Sequence, residues 1–541
     1  MATIATNKFR IHNAKSFVEG FSEAAASNLY LFIGRYAPWT ASDVVSGAIN
    51  TTDDNNPPSP PDHNQNIEYE SWRSMIAAKR IQSTDVKHVI PRYNWTTGTV
   101  YTAYTDLLTN LYTNDVNPFY VITDEFNVYK CLFAPYDSGQ SQMTPSTVKP
   151  TGSASTPITT ADGYVWKYMY TVSASDALKF VTTGYVPVST LASDPGASAC
   201  SQEDLQWTVQ QGAIDGAIHT VQRKSNASGD SGAGYTSLSG TTPAVPGSQS
   251  TLVISEGSAT DDVYNGMSLF VNNKLFTISD YVGSTKTLTL SPNIDTTEGA
   301  KSYTIAPKVN LTDINGEGSG FEAYCVMSSD KIDSVKVLNK GTGYTQGTIT
   351  FTDGGSPTTD ASYVAVISPK GGHGSDPVKE LGGFYVMMNT RLEYDEGVEK
   401  LTVDNDYRQI GIVKDPLKAD SNLATDALYL QTVALPLEAG YGTFTQDETV
   451  TGGTSGATGT VVDQLDISGT QYLRLSNTTG TFQASETVTG GTSSATGDVK
   501  VAGPTGAELS RYSGEILYLE TRKPITRDSS QLEDLKIILE F

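Results

Sequence analysis

Two stretches of the chain, residues 443–461 and 481–499, are near-copies that agree at 14 of 19 positions when laid over each other at an offset of 38. Their shared core is Glu448-Thr449-Val450-Thr451-Gly452-Gly453-Thr454-Ser455 against Glu486-Thr487-Val488-Thr489-Gly490-Gly491-Thr492-Ser493. Thr and Val favour a pleated strand, and paired glycines favour a tight turn, so a helix is excluded there. A solenoid needs at least about three repeats, and only two are present. The segment 433–506 therefore reads as an inserted module of duplicated β-hairpins, and its polar strands suit a peripheral knob.

The rest of the 541 residues exceeds one core, since chains beyond roughly 250–300 residues divide into domains. Residues 1–205 read as a β-rich α+β region. Ala14, Phe17, Val18, Phe21, Ala24 and Ala25 recur at helical spacing, which predicts a helix over 13–27 with Asn13 as N-cap. Leu29 to Ile33 reads as a buried strand ended by Gly34. Residues 51–66, TTDDNNPPSPPDHNQN, read as an extended surface loop because paired prolines fix φ and remove donors. Trp72, Met75 and Ile76 suggest a helix, as do Tyr104, Leu107, Leu108 and Leu111. Strands follow at 119–122 and 128–133, and Tyr164, Trp166, Tyr168 and Tyr170 alternate along a third.

From 206 to 384 the chain is rich in Gly, Ser and Thr, with short β runs, and reads as an inserted all-β domain. One phrase occurs twice in it. Ile218 and Val221 precede Gly232-Ala233-Gly234-Tyr235-Thr236, and Ile332 and Val335 precede Gly341-Thr342-Gly343-Tyr344-Thr345. Each predicts a strand, a glycine turn and a tyrosine covering that turn. Core-like sequence returns at 385–432 and at 507–541, which ends on the apolar run LKIILEF. The expected fold class is mainly β: a β-rich α+β core with a few short helices, assembled from both ends of the chain, carrying inserted all-β domains.

A net charge of −23 opposes nucleic-acid binding, because the surface repels phosphate backbones. Cys131, Cys200 and Cys325 are far apart and suggest reduced thiols in a cytoplasm. No window approaches the ~20 apolar residues of a membrane span, and no secretory leader is expected at the first residues.

No catalytic or metal site stands out. Gly229-Asp230-Ser231-Gly232 spells the loop around a serine-protease nucleophile, but it sits among turn residues with His219 only eleven positions upstream of Asp230, so a turn is expected. Lys370-Gly371-Gly372-His373-Gly374 could form an anion nest, yet it lacks phosphate-loop spacing and reads as a mobile inter-domain loop. Gly316, Gly318 and Gly320 miss the dinucleotide fingerprint. Asp313-Ile314-Asn315-Gly316 and Asp404-Asn405-Asp406 read as Asx turns rather than calcium loops. The five histidines, His12, His63, His88, His219 and His373, show no zinc spacing, and neighbours such as Asp395-Glu396 would point to opposite faces of a strand. No cofactor is expected.

Seven phrases in chain order carry a resemblance. They are Thr6-Asn7-Lys8-Phe9-Arg10; Leu31-Phe32-Ile33-Gly34-Arg35-Tyr36-Ala37-Pro38-Trp39; Val89-Ile90-Pro91-Arg92-Tyr93-Asn94-Trp95; Val128-Tyr129-Lys130-Cys131-Leu132; Asp162-Gly163-Tyr164-Val165-Trp166-Lys167-Tyr168; Tyr407-Arg408-Gln409-Ile410 before Asp415-Pro416-Leu417; and Ser513-Gly514-Glu515-Ile516-Leu517-Tyr518-Leu519-Glu520. Together they resemble the small dimeric baseplate wedge protein of T-even-type contractile-tailed phages. The resemblance covers about 6–205, 385–432 and 510–541, and leaves 206–384 and 433–506 as insertions.

It implies a mostly β structural subunit of the virion tail baseplate, made and assembled in the host cytoplasm. Such a subunit forms a homodimer, docks to other baseplate wedge proteins and takes part in the rearrangement on tail contraction. It has no enzymatic chemistry and no nucleic-acid or membrane partner. The scaffold positions it marks are Gly34, Pro38, Trp39, Pro91, Arg92, Trp95, Asp162, Gly163, Tyr164, Trp166, Gly514 and Glu515. Gly34 is expected to allow a tight strand exit, the prolines to stiffen loops, and the tryptophans to anchor a core or an interface. The alternative is a tail adhesin whose β-insertions recognise a host surface glycan; an enzyme would need converging carboxylates in a cleft.

Overall fold

The computed structural model describes residues 6–541 except 24–26, 41–52, 61–64, 106–107, 109–110, 113–114, 137–142, 197–200, 225–227, 243–247, 295–299 and 394–400. The fold is mainly β, and the chain divides into two compact units, one of 1–11 with 89–384 and one of 12–88 with 385–541.

In the second unit, early and late segments share one sheet. Its strand order is Leu428–Leu430, Met75–Arg80, Leu29–Gly34, Asp406–Lys414, Glu515–Thr526, all antiparallel. Leu31 lies opposite Ile412, and Ile410 opposite Glu520, so residues almost four hundred positions apart fill one core with Ile33, Ile76, Val386 and Ile537. The strand Tyr385–Leu392 pairs along its full length with the terminal strand Glu533–Glu540, which is why LKIILEF is apolar.

Two expected helices differ from the reading above. The first runs Asn7–Glu19, because the Thr6 hydroxyl accepts from the Phe9 N–H at 3.3 Å and caps it seven residues earlier than Asn13. Ala14, Phe17 and Val18 still face the core, whereas Ala24 and Ala25 lie outside the described residues. The second, Gln65–Ser74, stops where Met75 begins the strand that pairs with Leu29–Gly34. Tertiary pairing there overrides the helical spacing of Trp72, Met75 and Ile76. Tyr104 and Leu108 are not helical, and Leu107 lies outside the described residues.

The repeats organise the β-rich parts. The sheet of the duplicated module orders Val433–Leu437, Thr470–Thr479, Thr458–Ile467, Thr449–Gly452, Thr487–Gly490, Thr496–Asp498. The two copies meet at its centre, Thr451 opposite Thr489. Each copy's glutamate then holds the other's turn. Glu448 accepts from the N–H groups of Thr492 and Ser493, both at 2.8 Å, and Glu486 from those of Thr454 at 3.3 Å and Ser455 at 3.0 Å. One hairpin alone would leave its glutamate and its turn without these partners, which accounts for the duplication.

In the first unit, six strands close a barrel in the order Lys308–Asp313, Ser319–Ser328, Lys331–Thr342, Ile218–Arg223, Tyr363–Ile367, Gly347–Thr352. Val221 pairs with Val335, so the twice-used phrase occupies adjacent barrel strands. Tyr235 and Tyr344 lie in the barrel core over Gly232 and Gly341, where an added Cβ would stand 2.6 Å and 2.7 Å from the respective rings. A second sheet of six strands carries its own core around Leu269, Ile278, Tyr281 and Leu290. No described helix is long and apolar enough to cross a membrane.

Candidate functional site

Three of the phrases that carry the resemblance, 89–95, 128–132 and 162–168, meet at a four-stranded sheet of the first unit, ordered Tyr120–Ile122, Asn127–Phe133, Val165–Thr171, Ile158–Thr159. Strand alternation sends Trp166 and Tyr168 to one face with Tyr129 and Cys131. There Tyr164 stacks on Trp166 at 5.6 Å, and Tyr101 meets the Trp166 edge at 5.5 Å. All three are fully buried, and the Trp166 indole N–H has no hydrogen-bond partner among the described residues.

Asp162 ties the phrases together. Its carboxylate accepts from the Ser146 hydroxyl at 3.0 Å, from the Thr147 and Val148 N–H groups at 2.8 and 2.9 Å, and from the Thr160 hydroxyl. Partial burial would raise its pKa, but these hydrogen bonds outweigh burial and hold the group below the ordinary carboxylate value. Ser146 in turn accepts from the Trp95 indole N–H at 3.2 Å. Gly163 follows at φ +87° and lets the strand enter beside Pro135. The Tyr164 hydroxyl donates to the Thr144 carbonyl at 2.6 Å.

Trp95 is only half-buried because it also lines an open cleft of about 610 Å³ with Arg92, Asn94, Ile122, Asp124, Phe126 and Lys149. Arg92 is fixed by Asn94 and by the Thr182 carbonyl, both at 2.9 Å, and Lys149 bridges Asp124 and Glu125. Phe126 stands 38% exposed at φ +61°. Two aromatic faces beside fixed charges make a surface suited to a protein neighbour. Pro91 is the last residue of the strand Val86–Pro91 and not a loop residue; its carbonyl accepts from the Tyr120 hydroxyl at 2.7 Å.

Gly34, Pro38, Trp39, Gly514 and Glu515 lie in the second unit. Gly34 closes its strand by close approach, an added Cβ standing 3.1 Å from the Ser74 carbonyl oxygen, while the left-handed turn itself falls on Arg35 at φ +52°. Pro38 is exposed, and its carbonyl accepts from Arg35. The Trp39 ring lies under the Arg35 guanidinium at 3.8 Å and donates to the Arg522 carbonyl at 3.0 Å. Gly514 turns at φ +71°, and the exposed Glu515 opens the strand paired to Lys414. Sequence reasoning missed Asp54, which accepts from the Trp39 N–H at 2.8 Å and grips the buried Arg408 at 2.8 and 2.9 Å. The proline-rich stretch is thus tethered rather than merely extended, and Pro58 also accepts from Thr521.

The opposite face of the four-stranded sheet holds a buried ionic cluster that was not foreseen. Register places Lys130 directly across from Lys167. Lys130 donates to Glu380 at 2.8 Å and to His373 Nδ1 at 3.0 Å, and lies over the Tyr104 ring at 3.8 Å. Glu380 also accepts from the Gly374 N–H at 2.7 Å, and Gly371 donates to Asp215 at 2.9 Å. Lys370–Gly374 is therefore not a mobile loop: its nest is filled by the chain's own carboxylates. Burial pushes Lys167 down to about 8. Burial together with nearby positive charge takes His373 down to about 4 and His219 to about 3. Burial opposes ionisation of Glu380, but Lys130 and His373 prevail and hold it at about 2.

These shifts predict acid sensitivity. Below the ordinary histidine value of 6.5 the unfolded chain takes up protons on His219 and His373 that the folded chain refuses down to about 3 and about 4 respectively. Stability is lost as pH falls through that window, by up to ~1.4 kcal/mol per pH unit for each histidine. Denaturant titrations from neutral pH to about pH 4.5 should show the loss, and His373→Gln should flatten it. An equal slope in wild type and variant would refute the assignment.

The other candidates are structural. Ser231 is fully buried in the short turn Ser228–Ser231, and His219 packs against His373 at 5.4 Å. Asp313 accepts from the N–H groups of Asn315 and Gly318 as an Asx turn. Asp406 pairs with Arg408 at 3.0 Å. Asp395, Glu396, Cys200 and His63 lie outside the described residues. Cys131 and Cys325 are buried free thiols, and no metal-holding group occurs among the described residues.

Residues 3–144 match the family model described as Bacteriophage T4, Gp8. The chain is 23% identical over 229 residues to the baseplate wedge protein gp8 of Enterobacteria phage T4, a match covering 38% of this chain. That match spans 64% of the relative's own length, a little under two thirds. By its N-terminal family match and by this relative, the chain resembles the baseplate wedge proteins of T-even-type phages.

Proposed function

We propose that the chain is a structural subunit of a contractile phage tail, residing in the virion's baseplate and performing no catalysis. It forms a homodimer, docks to neighbouring wedge proteins and shifts with them when the tail contracts. The observation that carries this reading is the match of residues 3–144, the stretch that supplies Arg92, Trp95 and the Asp124–Phe126 wall of the 610 Å³ cleft. The resemblance-bearing residues elsewhere serve packing: Asp162, Tyr164 and Trp166 are bonded or stacked within the chain. We assign the cleft to a neighbouring wedge protein, with Trp95 and Phe126 as apolar anchors.

Sedimentation of the purified chain at micromolar concentration should give a dimer, since obligate contacts bury about 2,000 Å² or more. Tails assembled with Trp95→Ala and Phe126→Ala together should lack the chain or its wedge neighbour, while the dimer survives. A monomer, or normal tails from the double variant, would refute the corresponding half of the proposal.

A further inference from the structure

We infer that the duplicated module carries a binding cleft for a neutral oligosaccharide, independent of the assembly role. The cleft measures about 510 Å³, within the roughly 300–1,000 Å³ of small-molecule sites. Its polar wall combines Asp404, Gln446, Asp463, Gln471 and Arg474, and Tyr441 lines it with 39% of its surface exposed. Carboxylates accept and amides both donate and accept, which is the pairing that vicinal hydroxyls require. An exposed phenol ring offers the flat apolar face on which the C–H side of a pyranose lies.

Two features indicate that the cleft is built rather than left over. The pairing of Thr458–Ile467 with Thr470–Thr479 shifts register between Val461 and Asp463, and bulges of this kind re-aim side chains at sites. The shift sets Asp463 opposite Arg474, which grips it through Nε at 2.6 Å and through Nη2, so a buried ion pair forms part of the cleft wall. An apolar pair would be no less stable there, so the ion pair invites a role in binding. Asp404, across the cleft wall, is held at φ +58°.

Charge narrows the ligand. The one guanidinium is already engaged by Asp463, and Asp404 adds a second carboxylate, so the cleft repels phosphate, sulfate and uronate groups. A neutral hexose or N-acetylhexosamine oligomer fits this chemistry.

The full chain should be tested on an array of neutral oligosaccharides, with sialyllactose and trigalacturonate as acidic comparisons. At least one neutral glycan should bind. Tyr441→Ala and Gln471→Ala should each weaken it by ~10-fold or more without moving the melting temperature, one lost aromatic or bidentate contact being of that order. Tyr69→Ala, an exposed ring that does not line the cleft, should leave binding unchanged. Absence of binding to every neutral glycan, preference for the acidic ones, release of reducing ends, or equal binding by the Tyr441 and Gln471 variants would each overturn the inference.

Discussion

Lys130→Met is expected to destabilise the first unit by about 3–5 kcal/mol, the usual loss when one member of a buried ion pair is removed. The reason is what remains. Glu380 is almost fully buried, with Lys130 at 2.8 Å as its cationic partner, the His373 ring nitrogen at 3.8 Å, and the backbone N–H groups of Gly374 and Asp376. Without Lys130 the carboxylate must stay charged in an apolar setting or take a proton, and either costs several kcal/mol. The double variant Lys130→Met/Glu380→Gln should recover most of the loss, because neither charge is then stranded. Chemical denaturation of wild type, both single variants and the double variant measures the coupling directly. Additive losses in that cycle would show that the pair does not act as a unit.

This cluster also shows where sequence reading stops. Lys130 and Lys167 each sit in mid-strand among apolar residues, Val128–Phe133 and Tyr164–Tyr170, and that placement was the available signal. Alternation places Lys167 on the face opposite the aromatics, but both faces of the sheet are buried, and the partner Glu380 is 250 residues from Lys130. Nothing local announces such a contact. By contrast, the aromatic face of the same strand was legible, because period-two alternation of Tyr164, Trp166 and Tyr168 needs no distant partner.

The repeats behaved similarly. The covering role of Tyr235 and Tyr344 followed from adjacent glycines, and the polar hairpins of 443–499 followed from Thr and Gly. The exchange of Glu448 and Glu486 between copies did not, although their identical place in both phrases was a hint. Helix limits failed where tertiary pairing decided them, as at Met75, or where the cap lay upstream, as at Thr6. Of the scaffold positions, Trp95 and Asp162 are joined through Ser146, a link that Ser146 itself gave no reason to expect.

Trp166→Ala is expected to cost about 3–5 kcal/mol, the range for deleting a buried aromatic. The indole is fully buried between Tyr164, stacked at 5.6 Å, and Tyr101, edge-on at 5.5 Å, so its removal opens a cavity that two large rings cannot both refill. The polar part of the indole contributes differently. Its N–H finds no partner among the described residues, and an unpaired buried donor costs about 1–3 kcal/mol. Trp166→Phe should therefore lose much less than alanine, because the smaller ring keeps the stack and removes the stranded donor. The ordering wild type, then Phe, then Ala in melting temperature separates packing from hydrogen bonding at this position. Equal losses for Phe and Ala would mean that the indole N–H is satisfied in solution and that the aromatic stack contributes little.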